Sequence, residues 1–234
     1  MITLGQIESS EYNLLGGVSE DDFLEALEVS KPADKKRLIR KIQTQTKQVA
    51  VASSSRSRAE FEKRIHMLPK ETQAGLAAQN LQAVDTAYYV VKGIGESKVI
   101  KMFKDDDNKV VGIGNLSSAK LEKGNFFLLY GIQLLAGVAG AGEEPSAVNF
   151  DTIPDYIRNG EFEFKANGTT LIPATSNEIF FTEGKDIFKG LFVLDNPKII
   201  RDQQSIEFNI EWGVNAPENT YVKAILRGTT VIKS

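Results

Sequence analysis

The residues able to do chemistry are few in this chain, and their spacing argues against most familiar reactions. His66 is the only histidine, and there is no cysteine. Disulfides, iron–sulfur clusters, thiolate zinc sites and cysteine nucleophiles are therefore excluded, and multi-histidine metal sites with them. A Ser-His-Asp triad is hard to build on one histidine, and His66 lies beside Met67 and Leu68 in a helical pattern, where it reads as an ordinary helix or interface residue. Asp105-Asp106-Asp107-Asn108 supplies carboxylate oxygens of the kind calcium takes. The glycine and distal glutamate of an EF-hand loop are missing, so a solvated turn is the preferred reading. Gly93-Ile94-Gly95-Glu96 and Gly112-Ile113-Gly114-Asn115 are GxG pairs without a third glycine or a following helix, which argues against a dinucleotide site. Glu161, Glu163, Glu207 and Glu211 resemble the paired carboxylates of a glycosidase, but they alternate with aromatics and read as a solvated sheet face. Trp212 and Phe208 have the chemistry of a sugar-stacking platform, yet both fall on the apolar phase of a strand and are assigned to the core. The sequence thus predicts no catalytic, metal-binding or cofactor-binding residues, and a protein that is not an enzyme.

One cluster does point to a partner. Lys35, Lys36, Arg37, Arg40 and Lys41, with Lys47 beyond, follow one another with no acid after Asp34. They sit within a charge pattern that the net −3 conceals. Residues 1–30 carry seven acids and no base, residues 31–70 twelve bases and three acids, and residues 71–234 sixteen bases and twenty-one acids. On a helix, positions 36 and 40 share a face, as do 37 and 41, and like charges at that spacing repel. Something negative should offset them: acidic protein segments such as 1–30 of this or a neighbouring copy, nucleic acid, or anionic lipid. The first is preferred, because the acidic segment is close in the chain and of similar charge.

The elements that position these residues change in period along the chain. Ser19-Glu20-Asp21-Asp22 resembles a capping box, and Phe23, Leu24 and Leu27 predict a helix over about 20–29 that stops before Lys31-Pro32. Residues 33–49 predict a strongly basic helix, and 49–57 a small, Ser-rich hinge. Ser57-Arg58-Ala59-Glu60 caps a helix bearing Phe61, Ile65 and Leu68, and Pro69 opens a short one through Leu76. From about residue 81 the period becomes two. Strands are expected at Val84–Val91, Val99–Phe103 and Val110–Ile113, with Asp105–Asn108 a turn. Phe126–Val138 is the most apolar run, too short to cross a bilayer, and reads as a central strand buried on both sides. Asn167-Gly168 marks a hairpin between Phe162–Phe164 and Thr169–Ile172. In the last fifty residues, apolar Leu191–Leu194 leads into a turn signal at Asn196-Pro197. Ile206, Phe208, Ile210 and Trp212 then alternate with Glu207, Asn209 and Glu211, and Tyr221–Leu226 and Thr229–Ile232 follow about Gly228. Strands with short turns and no intervening helix imply antiparallel pairing among them. In all, eight to ten strands are expected, the spacing of a sandwich or barrel.

A chain of 234 residues, 41% hydrophobic and 25% charged, has the composition of an ordinary globular protein. No apolar run is long enough for a membrane-spanning helix, and Met1-Ile2-Thr3 does not begin a secretory signal. A helical, charge-segregated arm ahead of one antiparallel β domain resembles the jelly-roll structural proteins of icosahedral viruses. Arg64-Ile65-His66-Met67-Leu68-Pro69 on to Leu76, with Leu81-Gln82-Ala83-Val84-Asp85, is similar to the linker before the β domain in virion proteins of tailless bacteriophages. Leu194–Ile200, Ile206–Phe208 and Ala224–Gly228 are similar to their closing strands.

The resemblance implies a mainly β fold, an antiparallel jelly-roll-like sandwich or barrel (81–234) behind a short-helix N-terminal arm (1–80). It further implies a non-enzymatic shell, minor capsid or vertex protein, made in the host cytoplasm and placed in the virion. Its partners would be copies of itself and other capsid proteins, with packaged genome or an internal membrane reached by the basic arm, and no small-molecule substrate or cofactor. A major capsid protein of the double-barrel type would need two β domains, and the β sequence suffices for one. The alternative is a carbohydrate- or receptor-binding sandwich on a spike.

Overall fold

Alternating apolar positions become strands with one face turned inward, as the pleat requires. The computed structural model describes residues 61–182 and 188–233. Eight strands follow in order: β1 (Leu81–Gly93), β2 (Val99–Lys101), β3 (Phe126–Val138), β4 (Glu161–Ala166), β5 (Thr169–Ser176), β6 (Leu191–Ile200), β7 (Ile206–Glu211) and β8 (Thr220–Lys233). Ahead of them, residues 61–64 are α-helical, Ile65–Met67 forms a 3-10 turn, and helix α1 spans Lys70–Ala77. The four-residue helix α2 is Asp155–Arg158. The contacts divide the chain between Arg56 and Ser57, and every described residue belongs to the second unit. The helices expected over 20–29 and 33–49, the hinge 49–57 and the capping residues Ser57 to Glu60 lie outside the described residues.

The strands form two four-stranded antiparallel sheets, one ordered β1-β8-β3-β6 and the other β2-β7-β4-β5. A single apolar core lies between them. The first sheet supplies Phe127, Leu129, Ile132, Leu134, Val222, Ala224 and Leu226, and the second Phe162, Phe164, Ile206, Phe208 and Ile210. The described residues thus form an antiparallel β-sandwich. On the outer face of the first sheet, Phe61 and Leu68 from the helical stretch bury themselves on Phe126, Leu128 and Val231. This explains why the N-terminal half of β3 is apolar at every position: one face meets the core and the other meets the helical cover.

β3 changes phase partway along. Leu129 pairs with Gly228 but Gly131 pairs with Arg227, so Tyr130 is an extra residue on the β3 side. Odd positions face the core before it (Phe127, Leu129) and even ones after it (Ile132, Leu134, Ala136), as a bulge dictates. Gly228 sits opposite this bulge. A Cβ there would collide with the Leu128 carbonyl oxygen and the Phe127 ring, so only glycine lets β8 run unbroken as one strand from Thr220 to Lys233.

Three expectations need correction. Val110–Ile113 is not a strand: it is a turn held by isolated bridges, with Val111 97% exposed. Asn196-Pro197 does not end a strand. β6 runs through it, and residues 194–197 bulge out between the Val193–Gly131 and Lys198–Leu129 pairs. An edge strand tolerates a proline there, because residues 194–197 make no ladder pair with β3. The closing strands also do not pair with one another: β6 and β8 lie in one sheet, β7 in the other, and each finds an antiparallel partner far upstream. Their apolar faces are packed across the sandwich, which neighbours in a single sheet could not achieve. The Asn167-Gly168 hairpin, by contrast, forms as expected, with both residues at positive φ.

Phe208 sits between Phe162 and Phe164, with ring centroids 5.7 and 6.0 Å away in edge-to-face arrangement, and is wholly buried. Phe208→Ala should cost about 3–5 kcal/mol of unfolding free energy, measured by urea titration, because the two neighbouring rings cannot close over the void. A loss below about 1 kcal/mol would mean that this strand does not face the core.

Candidate functional site

Between Lys101 and Phe126 the chain runs 24 residues without a strand, and a stretch of this length in a compact domain is commonly functional. Part of it seals the free edge of β1. The Tyr89 amide donates to Asn115 Oδ1 at 2.8 Å, and Asn115 Nδ2 donates to the Ala87 carbonyl at 2.8 Å. The Asn115 amide returns to the Tyr89 carbonyl at 3.2 Å, and the Val91 amide donates to the Ile113 carbonyl at 2.7 Å. One asparagine thus imitates a strand partner, and the strap covers the Ala87–Val91 stretch of this edge. Lys92 of β1 forms an ion pair with Asp107 of the strap, and the other Asp107 oxygen accepts the Lys104 amide at 2.8 Å. The acidic turn 105–108 is therefore used as a tether. Among the described residues no group of three or more His, Asp or Glu side chains is gathered to hold a metal.

Beyond Asn115 the strap encloses a cleft of about 360 Å³ with Tyr88, Leu116 and Leu121 as its apolar lining. Ser117, Ser118, Lys120, Asn125 and Gln203 provide the polar groups. Ser118 and Ala119 both hold left-handed backbone, φ 52° and 50°, at a cost of about 1 kcal/mol each. The surrounding bonds enforce it: the Ser118 amide donates to the Asp107 carbonyl at 2.8 Å, and the Ala119 carbonyl accepts the Ile206 amide at 2.8 Å. At the mouth Lys109 Nζ meets Glu122 Oε1 at 2.8 Å, and this hydrogen bond holds the Glu122 carboxyl below its ordinary value. Burial pushes the Tyr88 hydroxyl above its ordinary value, against a long bond of 3.5 Å from Thr230 Oγ1, so the phenol stays protonated at neutral pH.

The other residues singled out by sequence fall elsewhere. Lys35, Lys36, Arg37, Arg40 and Lys41 lie outside the described residues. His66 is exposed in the 3-10 turn. Glu161 and Glu211 are paired across β4 and β7, and Lys165, paired with Glu207 in the ladder, makes a 2.7 Å ion pair with Glu163, so these carboxylates share the outer sheet face. Trp212 is buried, its indole N–H donating to the Ser97 carbonyl at 3.0 Å. Gly93 ends β1, Gly95 lies in the turn after it, Gly112 at φ 84° turns beside Ser146, and Gly114 bridges to Val90 and Val110. Sequence reasoning missed the cleft because its residues share no motif. The available signal was the long, polar, Gly- and Ser-containing stretch before the most apolar strand.

No helix among the described residues is long and apolar enough to cross a membrane. No protein-family model matches the chain, and no curated protein matches it.

Asn115→Ala should leave the Tyr89 amide and the Ala87 carbonyl without partners and cost about 1–3 kcal/mol. Amide hydrogen exchange at Tyr89 should accelerate while β8 stays protected; unchanged exchange at Tyr89 would show that the clasp does not carry the edge.

Proposed function

We propose that the chain is a jelly-roll structural subunit of a virion, a shell, minor capsid or vertex protein without enzymatic activity. The observation that carries this reading is the nested strand pairing. β1 lies beside β8, β2 beside β7, β3 beside β6 and β4 beside β5, each in its sheet. A long hairpin folded over on itself would produce that order, and this supports reading it as the double Greek-key winding of a jelly roll. Lectins and cupins use the same winding, so the class of function comes from the resemblance of 64–85, 194–208 and 224–228 to phage virion proteins.

The edges suit a tile. β1 is clasped by the strap, β2 has three residues, and β5 and β6 carry Pro173 and Pro197 at irregularities in their ladders. Open-ended strand addition is discouraged at each of them, which leaves side-chain faces for specific lateral contacts with copies of itself and other capsid proteins. The basic segment around Lys35–Lys41 meets the acidic segment 1–30 of the same or a neighbouring copy, with packaged genome and then an internal membrane as the further partners. No small-molecule substrate or cofactor enters this role.

Negative-stain microscopy of the purified protein, alone and with co-expressed coat proteins, should show rings, closed shells or defined oligomers. Neutralising Lys35, Lys36, Arg37, Arg40 and Lys41 should weaken that assembly at low salt, and high salt should mimic the change. A protein that stays monomeric under all these conditions would overturn the reading. Normal assembly with loss of nucleic acid or liposome binding alone would reassign the segment to the particle interior.

A further inference from the structure

The cleft beside Tyr88 has the size and chemistry of a ligand site, and its features do not depend on the shell reading. Its volume of about 360 Å³ lies in the range of small-molecule pockets and suits a ligand of one or two sugar rings. The polar groups divide into two sets. Gln203 is occupied, its Nε2 donating to the Leu121 carbonyl at 3.2 Å. Ser117, Ser118 and Asn125 line the cleft, and among the described residues their side chains make no bond to protein. Two hydroxyls and an amide on one cleft wall offer both donors and acceptors, which a ring bearing several hydroxyls can satisfy. Tyr88 adds an aromatic surface and a hydroxyl whose bond to Thr230, at 3.5 Å, is at the limit of bonding.

Charge narrows the class further. Two lysines line the cleft, and Lys109 is neutralised by Glu122 at the mouth. Lys120 has no ion-pair partner among the described residues. It follows directly on Ser118 and Ala119, whose left-handed backbone turns this segment along the cleft wall. Strain of this kind gathers at ligand-binding loops, where the surrounding bonds hold a conformation that the residues alone would leave.

We propose that this cleft binds an acidic sugar, with Ser117, Ser118 and Asn125 taking its hydroxyls and Lys120 its carboxylate. Tyr88 packs against the apolar face of the ring, and Leu116 and Leu121 keep water from its edge. The hydroxyl contacts set the preference over a simple anion, and the ammonium sets the preference over a neutral sugar.

Saturation-transfer difference NMR on the full chain tests this with D-glucuronate, D-glucose and acetate as probes, since the method works for monomer and assembly alike. Glucuronate should give a saturable signal, with glucose and acetate at least about tenfold weaker. Lys120→Gln should bring glucuronate down to the glucose level, Lys120→Arg should retain most of the binding, and Asn125→Ala should weaken both sugars. Circular dichroism of each variant should match the parent, since Lys120 is exposed and Asn125 only half-buried. No glucuronate signal, equal binding of acetate and glucuronate, or an unchanged affinity in Lys120→Gln would each overturn the proposal. Particle formation is read separately by microscopy, so a silent cleft leaves the shell reading standing and a monomeric protein leaves this one standing.

Discussion

The position of β8 between β1 and β3 is the constraint on which the rest of the sandwich depends. β8 has backbone partners on both sides over nearly its whole length, from Tyr221 opposite Gly93 and Gly137 to Val231 opposite Ala83 and Phe126. It joins the first long strand of the domain to the most apolar one, and both lie far away in sequence. Its inward side chains Val222, Ala224 and Leu226 are fully buried, each removing apolar area from water at about 25 cal/mol per Å². The fit is strict at Gly228. The Leu128 carbonyl and the Phe127 ring of β3 occupy the space a side chain would need, one residue before the β3 register shift.

From that central pairing the remaining features follow in order. β3 shows two apolar faces because the helical stretch 61–77 covers the outer one, and the alternation that usually marks a strand disappears into a continuous apolar run. β1 stands at the edge of its sheet, and the strap closes that edge through Asn115 and the Lys92–Asp107 pair. The same strap then turns across the end of the sandwich and walls the Tyr88 cleft. A device that protects a sheet edge thereby also walls a polar cleft. The exposed Lys109–Glu122 pair at its mouth adds little stability, since both side chains are more than half solvated.

Much of the fold was legible in the sequence, and the failures share a cause. Period-two alternation places β7, and the phase of Ile206, Phe208, Ile210 and Trp212 holds, because one face is buried and the other carries Glu207, Asn209 and Glu211. Asn167-Gly168 was legible because its turn chemistry is local. Asn196-Pro197 misled for the opposite reason. A turn dipeptide on an edge strand is absorbed as a bulge, and edge position is a property of the whole sheet. Val110–Ile113 misled because β-branched residues favour strand only where a surface exists to pack on, and Val111 has none. Partner choice was illegible: adjacent strands that read as one antiparallel set are split between two sheets. The cleft was illegible as well, since Tyr88, Ser118 and Asn125 come together only through the strap's path.

Native-state hydrogen exchange at increasing urea tests the central claim most directly. If β8 is the strand on which both neighbours depend, the amides of Ala224, Leu226 and Thr229, with Leu128 and Ile132 of β3, should exchange only through global unfolding and share its full urea dependence. Exchange of these β8 amides through a local, urea-independent opening, while β4 and β5 remain protected, would contradict it.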